Sequence, residues 1–238
     1  MISLISSSTE EGKLVMGQLK KKSVEGGKLL YSGNIHGKNV VYIISGMGKV
    51  NAAHAATILF EKFSPRVLIL FGVGGAYPSS GLRVGDIAVA EKELYGDEGV
   101  ITLEGFQGTH YMGIPLAETG RKKYFNEFVL DKELTGKALE SLGQPYAGSI
   151  AARSGKFITV STCTGTRRRA RELQRRFGGI CENMEGAAAA HICALYGVRM
   201  GEIRGISNIV EDRDRTKWDI KLAAENCQKV VMNVLRAL

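Results

Sequence analysis

Apolar residues along this chain fall into short, β-branched-rich runs separated by longer segments of helical period. The runs at Met1 to Ile5, Asn39 to Ile44, Arg66 to Phe71, Asp86 to Ala90, Phe157 to Val160 and Gly201 to Ile206 predict strands, several of them buried on both faces. Between them, Glu10 to Lys20, Val50 to Lys62, Arg167 to Phe177, Gly186 to Tyr196 and Trp218 to Leu238 predict helices. In the last, Leu222, Val230, Val231, Val234 and Leu238 form an apolar stripe largely opposite Lys221, Glu225, Gln228 and Lys229, as in a helix that packs along one side. Strand and helix in alternation imply an α/β fold. The stretch from Gly99 to Lys123 keeps no sustained period and carries Gly105, Gly108, Gly113 and Pro115, so it reads as a long surface loop suited to binding.

The chain has 238 residues, 44% hydrophobic and 24% charged, which excludes a disordered, fibrous or membrane protein. With no repeat, low-complexity linker or composition break, one domain over residues 1–238 is expected. Its 30 glycines are nearly twice the usual ~7% share, which calls for tight turns or close backbone approaches. The 32 Lys and Arg against 24 Asp and Glu give a net +8, which suits anionic ligands, nucleic acid or a membrane surface without choosing among them. Cys163, Cys181, Cys193 and Cys227 show neither a C-x-x-C pair nor a zinc-type His spacing, so the expectation is no metal, no disulfide framework and a reducing, cytoplasmic setting. Met1 to Met16 lacks a basic segment followed by an apolar run, and no stretch reaches the ~18 apolar residues of a membrane span, so export and membrane insertion are disfavoured.

Two glycine clusters follow strands: Ser45-Gly46-Met47-Gly48-Lys49-Val50-Asn51 and Phe71-Gly72-Val73-Gly74-Gly75-Ala76-Tyr77. Each reads as a strand-to-helix turn, either a plain tight turn or one that brings backbone N–H groups to a ligand at the sheet's carboxyl edge. Asn51 and Tyr77 stand where a dinucleotide fingerprint needs its third Gly or Ala, and neither cluster matches a P-loop, which disfavours NAD and ATP. A third cluster, Cys181-Glu182-Asn183-Met184-Glu185-Gly186, leads into four alanines and His191. Glu185 would gain from the helix dipole there, the alanines permit close packing, and His191 reads as a hydrogen-bonded core residue. A fourth segment runs from the buried strand at Ile203 into polar residues up to Asp214, where ligands commonly meet a sheet, although Asn208 by itself is also a common turn former. The basic run Arg167-Arg168-Arg169 with Arg171, Arg175 and Arg176 has no interleaved aromatic residues and follows a helix-start pattern, Thr164-Gly165-Thr166. It reads first as a solvated helix face, with a nucleic-acid-binding surface and a field that attracts an anionic substrate as the alternatives.

Taken in order, Ser45 to Ala53, Gly72 to Pro78 with Gly81 to Asp86, Tyr95 to Gly99, Asn183 to Ala187, Arg204 to Asn208 and Asp212 to Asp219 resemble the nucleoside phosphorylase and nucleosidase superfamily. The likeness is to its hydrolytic branch, which holds the methylthioadenosine/S-adenosylhomocysteine nucleosidases, and most closely to the futalosine hydrolases of the futalosine route to menaquinone. The resemblance implies an α/β three-layer sandwich, with a mixed central β-sheet flanked by helices, assembled as a homodimer and needing no metal or organic cofactor. It implies a small-molecule nucleoside as substrate and water as nucleophile, with neither nucleic acid nor a membrane as partner. Breaking the N-ribosidic bond passes through an oxocarbenium-like sugar, so the charge logic parallels glycoside hydrolysis.

By the same resemblance Glu11 orients and deprotonates the attacking water, with Glu10 as a rival because the serine-rich lead-in Ser7-Ser8-Thr9 leaves the register open. Glu185 grips the ribose hydroxyls and faces the developing positive charge, and Met184 packs on the sugar. Phe157 stacks on the base, Ile158 offers its backbone to the purine edge, and Val73, Gly74 and Gly75 border the nucleoside. Adenine-cleaving members carry Asp at the place of Asn208. An amide cannot hand over a proton, but its NH₂ donates to a 6-oxo group while its carbonyl accepts from N7–H, so Asn208 favours hypoxanthine. The loop from Gly72 to Pro78 has no Arg or Lys for a phosphate pocket, which favours water over phosphate. The reaction expected is hydrolysis of futalosine to hypoxanthine and dehypoxanthinyl futalosine; the alternatives are an adenine-releasing nucleosidase or a purine nucleoside phosphorylase. The carboxylated aryl group at the 5′ end of futalosine needs a cation or a row of donors, for which the loop from Phe106 to Met112, Trp218, Arg213 and Arg215 are candidates.

Overall fold

The computed structural model describes residues 1–142 and 150–238. Its centre is a ten-stranded mixed sheet built from β1 (Ile2–Ser6), β2 (Lys20–Glu25), β3 (Lys28–Ile35), β4 (Lys38–Ile44), β5 (Val67–Ala76), β6 (Ile87–Tyr95), β11 (Glu127–Val129), β12 (Ala152–Thr159), β13 (Cys181–Asn183) and β14 (Arg199–Ile209). The apolar β1 is buried along its length, between β4 and β5 and parallel to both. On one side the strands run out through β4, β3 and β2; on the other β5, β13, β12, β6 and β14 pair in a closed circuit, β14 lying parallel to β5 and antiparallel to β6.

Helices cover both faces. On one, α1 (Thr9–Met16), α4 (Lys132–Glu140) and α7 (Ile220–Ala237) pack together, and Val15, Leu134, Val230, Val231 and Val234 fill the core against Leu4, Phe71 and Ile203. On the other, α2 (Lys49–Phe63) and α6 (Gly186–Tyr196) meet through buried small residues, Ala52, Ala55 and Ala56 on α2 and Ala187 to Ala190 on α6, whose short side chains allow close approach. The helix α5 (Arg167–Phe177) buries Ala170 and Leu173 beneath its arginines, of which Arg167, Arg169 and Arg176 pair with acidic side chains. The arrangement is the expected three-layer α/β sandwich with a mixed sheet. No helix among the described residues is long and apolar enough to cross a membrane.

Three elements differ from the sequence expectation. The first helix stops at Met16, with Gly17 as its cap, and the chain continues into the hairpin β2–β3. The lysines of β2 sit on the sheet's edge, where charge discourages further strand pairing. Gly26 and Gly27, both at positive φ, make the two-residue turn that a β-hairpin favours. The segment from Gly99 to Lys123 is not a plain loop: it holds the hairpin β7 (Gly99–Thr102) and β8 (Gly105–Gly108), the single turn α3 (Thr109–Met112), and the hairpin β9 (Ala117–Thr119) with β10 (Lys122–Tyr124). The cluster from Gly72 to Gly75 is not a turn either. Strand β5 runs straight through it to Ala76, so these glycines pave a strand and leave room for side chains arriving from neighbouring elements.

Candidate active site

The carboxyl ends of β1, β5 and β14 converge with the starts of α1 and α6 around a cavity of about 260 Å³. Glu11, Val73, Gly74, Gly75, Met184, Glu185, Asn208 and Trp218 all line it, although they come from five separate parts of the chain. Phe157 and Ile158, expected against the base, do not. Both are fully buried in β12: Phe157 belongs to the core beside α2 and α6, while Ile158 packs against Gly96 and Gly179, and hydrogen bonding to β6 and β13 on either side commits the strand's backbone. Glu10 is exposed and off the cavity wall, whereas Glu11 one residue on is buried. His191 stacks on Phe128 and approaches Tyr95, away from the cavity, and burial holds its pKa below the ordinary value.

Glu11 is fixed by a capping box. Ser8 caps α1 and accepts from Glu11 N–H, while Glu11 Oε2 accepts from the backbone N–H groups of Ser7 and Ser8, each at 2.9 Å, and from both serine hydroxyls. The other oxygen, Oε1, accepts from Val73 N–H at 2.8 Å. A side chain on Gly72 would fall on this carboxylate, so glycine there is what admits it.

Glu185 is held from two sides. Gly48, at φ +96 in the turn that opens α2, donates its N–H to Oε1 at 2.8 Å, and Arg204 Nη1 lies 3.3 Å from Oε2. The first glycine cluster is thus the expected strand-to-helix turn presenting an N–H. At the start of α6, whose N-cap is Glu185, Asn183 Oδ1 accepts from the backbone N–H groups of Glu185 and Gly186 at 2.9 and 2.7 Å. Asn208 is oriented by its neighbours: Ser207 Oγ donates to Oδ1 at 2.8 Å, and Nδ2 donates to Ile209 O at 3.1 Å. One N–H and one lone pair of the amide therefore remain for a ligand.

Behind the wall lies a charge cluster that the motifs did not single out. Arg204 is 1% exposed and donates to Glu202 at 2.8 Å and to Val73 O at 3.1 Å as well as meeting Glu185. Burial works against its charge, yet the carboxylates of Glu202, Glu185 and Glu11 hold its pKa above the usual arginine value. Glu93, fully buried, accepts from Thr159 Oγ1 and Asn183 Nδ2 at 2.7 and 2.6 Å. Burial, and then the carboxylate of Glu202, push the Glu93 pKa well above the ordinary carboxylate value. The visible signal was two charged residues, Glu202 and Arg204, inside an otherwise apolar strand.

Glu182 also lines the cavity; it accepts from Tyr77 OH at 2.9 Å and from the Thr164 backbone and hydroxyl at 2.9 and 2.6 Å. It sits three residues before Glu185 in a segment whose spelling drew attention only to the latter. Nothing between Gly99 and Lys123 borders the cavity, and Phe106 instead packs on Phe177 and Arg176. Among the described residues no group of three or more His, Cys, Asp or Glu side chains is arranged to hold a metal ion.

Comparison with known proteins fits this architecture. The profile of the Phosphorylase superfamily matches residues 4–238. A futalosine hydrolase from Thermus thermophilus is 35% identical over 201 residues, 84% of this chain and 83% of the relative. A 5′-methylthioadenosine/S-adenosylhomocysteine nucleosidase from Oceanobacillus iheyensis is 27% identical over 242 residues, covering 100% of this chain and 99% of its own. Among solved structures, the corresponding nucleosidase from Neisseria meningitidis in complex with methylthio-immucillin-A superposes with a TM-score of 0.85 at 25% identity, over 100% of this chain and 99% of that one.

Proposed function

The chain belongs to the phosphorylase superfamily and is a nucleosidase, and from that footing we propose that its substrate is futalosine, cleaved by water to hypoxanthine and dehypoxanthinyl futalosine. The observation that carries the choice of base is Asn208. Its amide borders the cavity with an N–H to give to a 6-oxo group and an oxygen to accept from N7–H. An adenine presents the reverse pattern and would leave buried polar groups unpaired, a mismatch that can cost ~10⁴-fold or more.

In this reading the purine lies at Asn208, and the ribose sits between Met184 and Glu185. As the C1′–N9 bond breaks, its electron pair leaves with the purine and positive charge grows on the sugar. Glu185 holds the ribose hydroxyls and faces that charge from a buried position, where electrostatic attraction is strong. Glu11 accepts the proton of the attacking water through Oε1, whose second lone pair is left by the Val73 contact. Arg204 holds Glu185 in place and balances part of the negative charge of the two carboxylates. The departing purine takes a proton from solvent water at N7, where the Asn208 oxygen accepts the N7–H, and leaves as neutral hypoxanthine. The strand from Gly72 to Gly75 offers no cation to a phosphate, which supports water as nucleophile.

Met47 and Val50, apolar and exposed at the opening of α2, support assembly as a homodimer, which sedimentation at graded concentrations tests. The assay of function incubates the enzyme with futalosine, methylthioadenosine, S-adenosylhomocysteine and inosine, each with and without phosphate, and separates the released bases. Hypoxanthine from futalosine, independent of phosphate, is the expected result. Adenine from methylthioadenosine as the main product would replace this reading with that of the adenine-releasing nucleosidase.

A further inference from the structure

The buried part of the cavity is acidic and its rim is not. Glu11, Glu182 and Glu185 are each at most 7% exposed, whereas Met47, Arg213, Trp218 and Ile220 form a more open and largely apolar side. Among the described residues that line the cavity Arg213 is the one cation, and its guanidinium lies 4.6 Å from the centre of the Trp218 ring.

The acids near it in the chain are occupied. Glu211 pairs with Arg167 and Lys217, and Asp212 pairs with Arg167 while accepting from its backbone N–H. Asp214 caps the short turn Arg215–Lys217, and Asp219 caps α7. These caps and the bond from Arg213 N–H to Gly165 O fix the strap that carries Arg213. Among the described residues no carboxylate pairs with Arg213. Arg215 does not border the cavity. A planar cation, stacked on an indole and free of an internal partner, is suited to bind a carboxylate through two parallel hydrogen bonds.

We propose that Arg213, backed by Trp218, is the specificity determinant that selects nucleosides whose 5′ substituent ends in a carboxylate. The inference rests on the reading above that the base and ribose occupy the buried end, near Asn208 and Glu185. A longer substrate must then send its 5′ tail toward the open side, where an aryl or alkyl portion meets Trp218, Met47 and Ile220 before its carboxylate reaches Arg213.

The test compares wild type, Arg213→Gln and Arg213→Lys on futalosine, on futalosine methyl ester and on inosine, reading release of hypoxanthine. Arg213→Gln should lower kcat/KM on futalosine about 10- to 100-fold, mainly through KM, as expected for losing a charge-assisted pair. The loss on the ester and on inosine should be at least tenfold smaller, and Arg213→Lys should recover part of it by restoring charge without the planar fork. An equal loss on all three substrates, or no loss on futalosine, overturns the proposal. Should wild type leave futalosine intact, the functional reading falls by itself, and the same variants are then compared on S-adenosylhomocysteine, which carries a carboxylate, and methylthioadenosine, which does not. A loss confined to the former supports the role of Arg213; a loss on both or on neither overturns it.

Discussion

The backbone N–H of Val73 donates to Glu11 Oε1 at 2.8 Å, tying the first helix to the glycine-paved strand 62 residues away. With the contacts to Ser7 and Ser8, donors from two distant segments converge on one carboxylate. The same strand passes its carbonyl at Val73 to Arg204, which reaches on to Glu185. The two carboxylates proposed to act on water and sugar are therefore set by one short stretch of backbone, and disturbing it should disturb both.

Glu11→Gln tests the first of them. The amide retains the shape but turns an N–H toward groups that themselves donate, so a stability loss of about 1–3 kcal/mol is expected beside the chemical defect. Removing a general base lowers kcat by roughly 10²- to 10⁴-fold. Steady-state kinetics with a parallel thermal melt separates the two effects. Near-normal turnover would move water activation away from Glu11, and the exposed Glu10 would be the next residue to vary.

Gly72→Ala places a methyl group on the Glu11 carboxylate, at a strand position whose φ of +158 an L side chain rarely adopts, so backbone strain adds to the crowding. Overpacking of this kind takes about 1–3 kcal/mol, and displacement of the carboxylate should reduce kcat at least tenfold. Gly27→Ala, in the hairpin turn at positive φ and far from the cavity, serves as the comparison: it should lower stability without a comparable effect on kcat.

How far the sequence revealed this site follows from what each residue signals locally. The strands β1, β4 and β14 and the helices α5, α6 and α7 were legible because their apolar periods reflect burial, which is a local pattern. The lysines of β2 suit a solvated edge and hide the hairpin β2–β3, although the Gly26-Gly27 pair just before the apolar residues of β3 is a usable turn signal. Glu11, Glu185 and Asn208 became prominent through motif order. A phenylalanine in a strand bears no mark of which face it takes, and the face Phe157 takes is the core. The Glu93–Glu202–Arg204 cluster joins residues from β6 and β14, a pairing that no single window of sequence contains.

Asn208→Asp tests the choice of base. A carboxylate opposite a 6-oxo group offers no N–H and adds repulsion, so kcat/KM on futalosine should fall about 10- to 100-fold. Hydrolysis of 6-amino nucleosides should hold or rise. The quantity to measure is the ratio of hypoxanthine to adenine released from matched substrates, and an unchanged ratio in the variant removes Asn208 from the argument for hypoxanthine.

The raised pKa of Glu93 has a consequence for stability against pH. In the unfolded chain this carboxyl ionises near its ordinary value of 4.5, whereas in the folded protein burial and Glu202 raise its pKa well above that. Above pH 4.5 the folded state therefore binds a proton that the unfolded chain has released, so this contribution to stability is complete at acid pH and is lost as pH rises through the folded value. Glu93→Gln supplies a permanently neutral group that can still accept from Asn183 or Thr159. Calorimetric melts from about pH 5 to pH 9 should show wild type losing stability with rising pH more steeply than the variant, with the gap widening toward alkaline pH. Parallel curves for the two proteins would mean that Glu93 is ionised in the folded state, leaving two adjacent buried carboxylates to be balanced by Arg204 while it also serves Glu185.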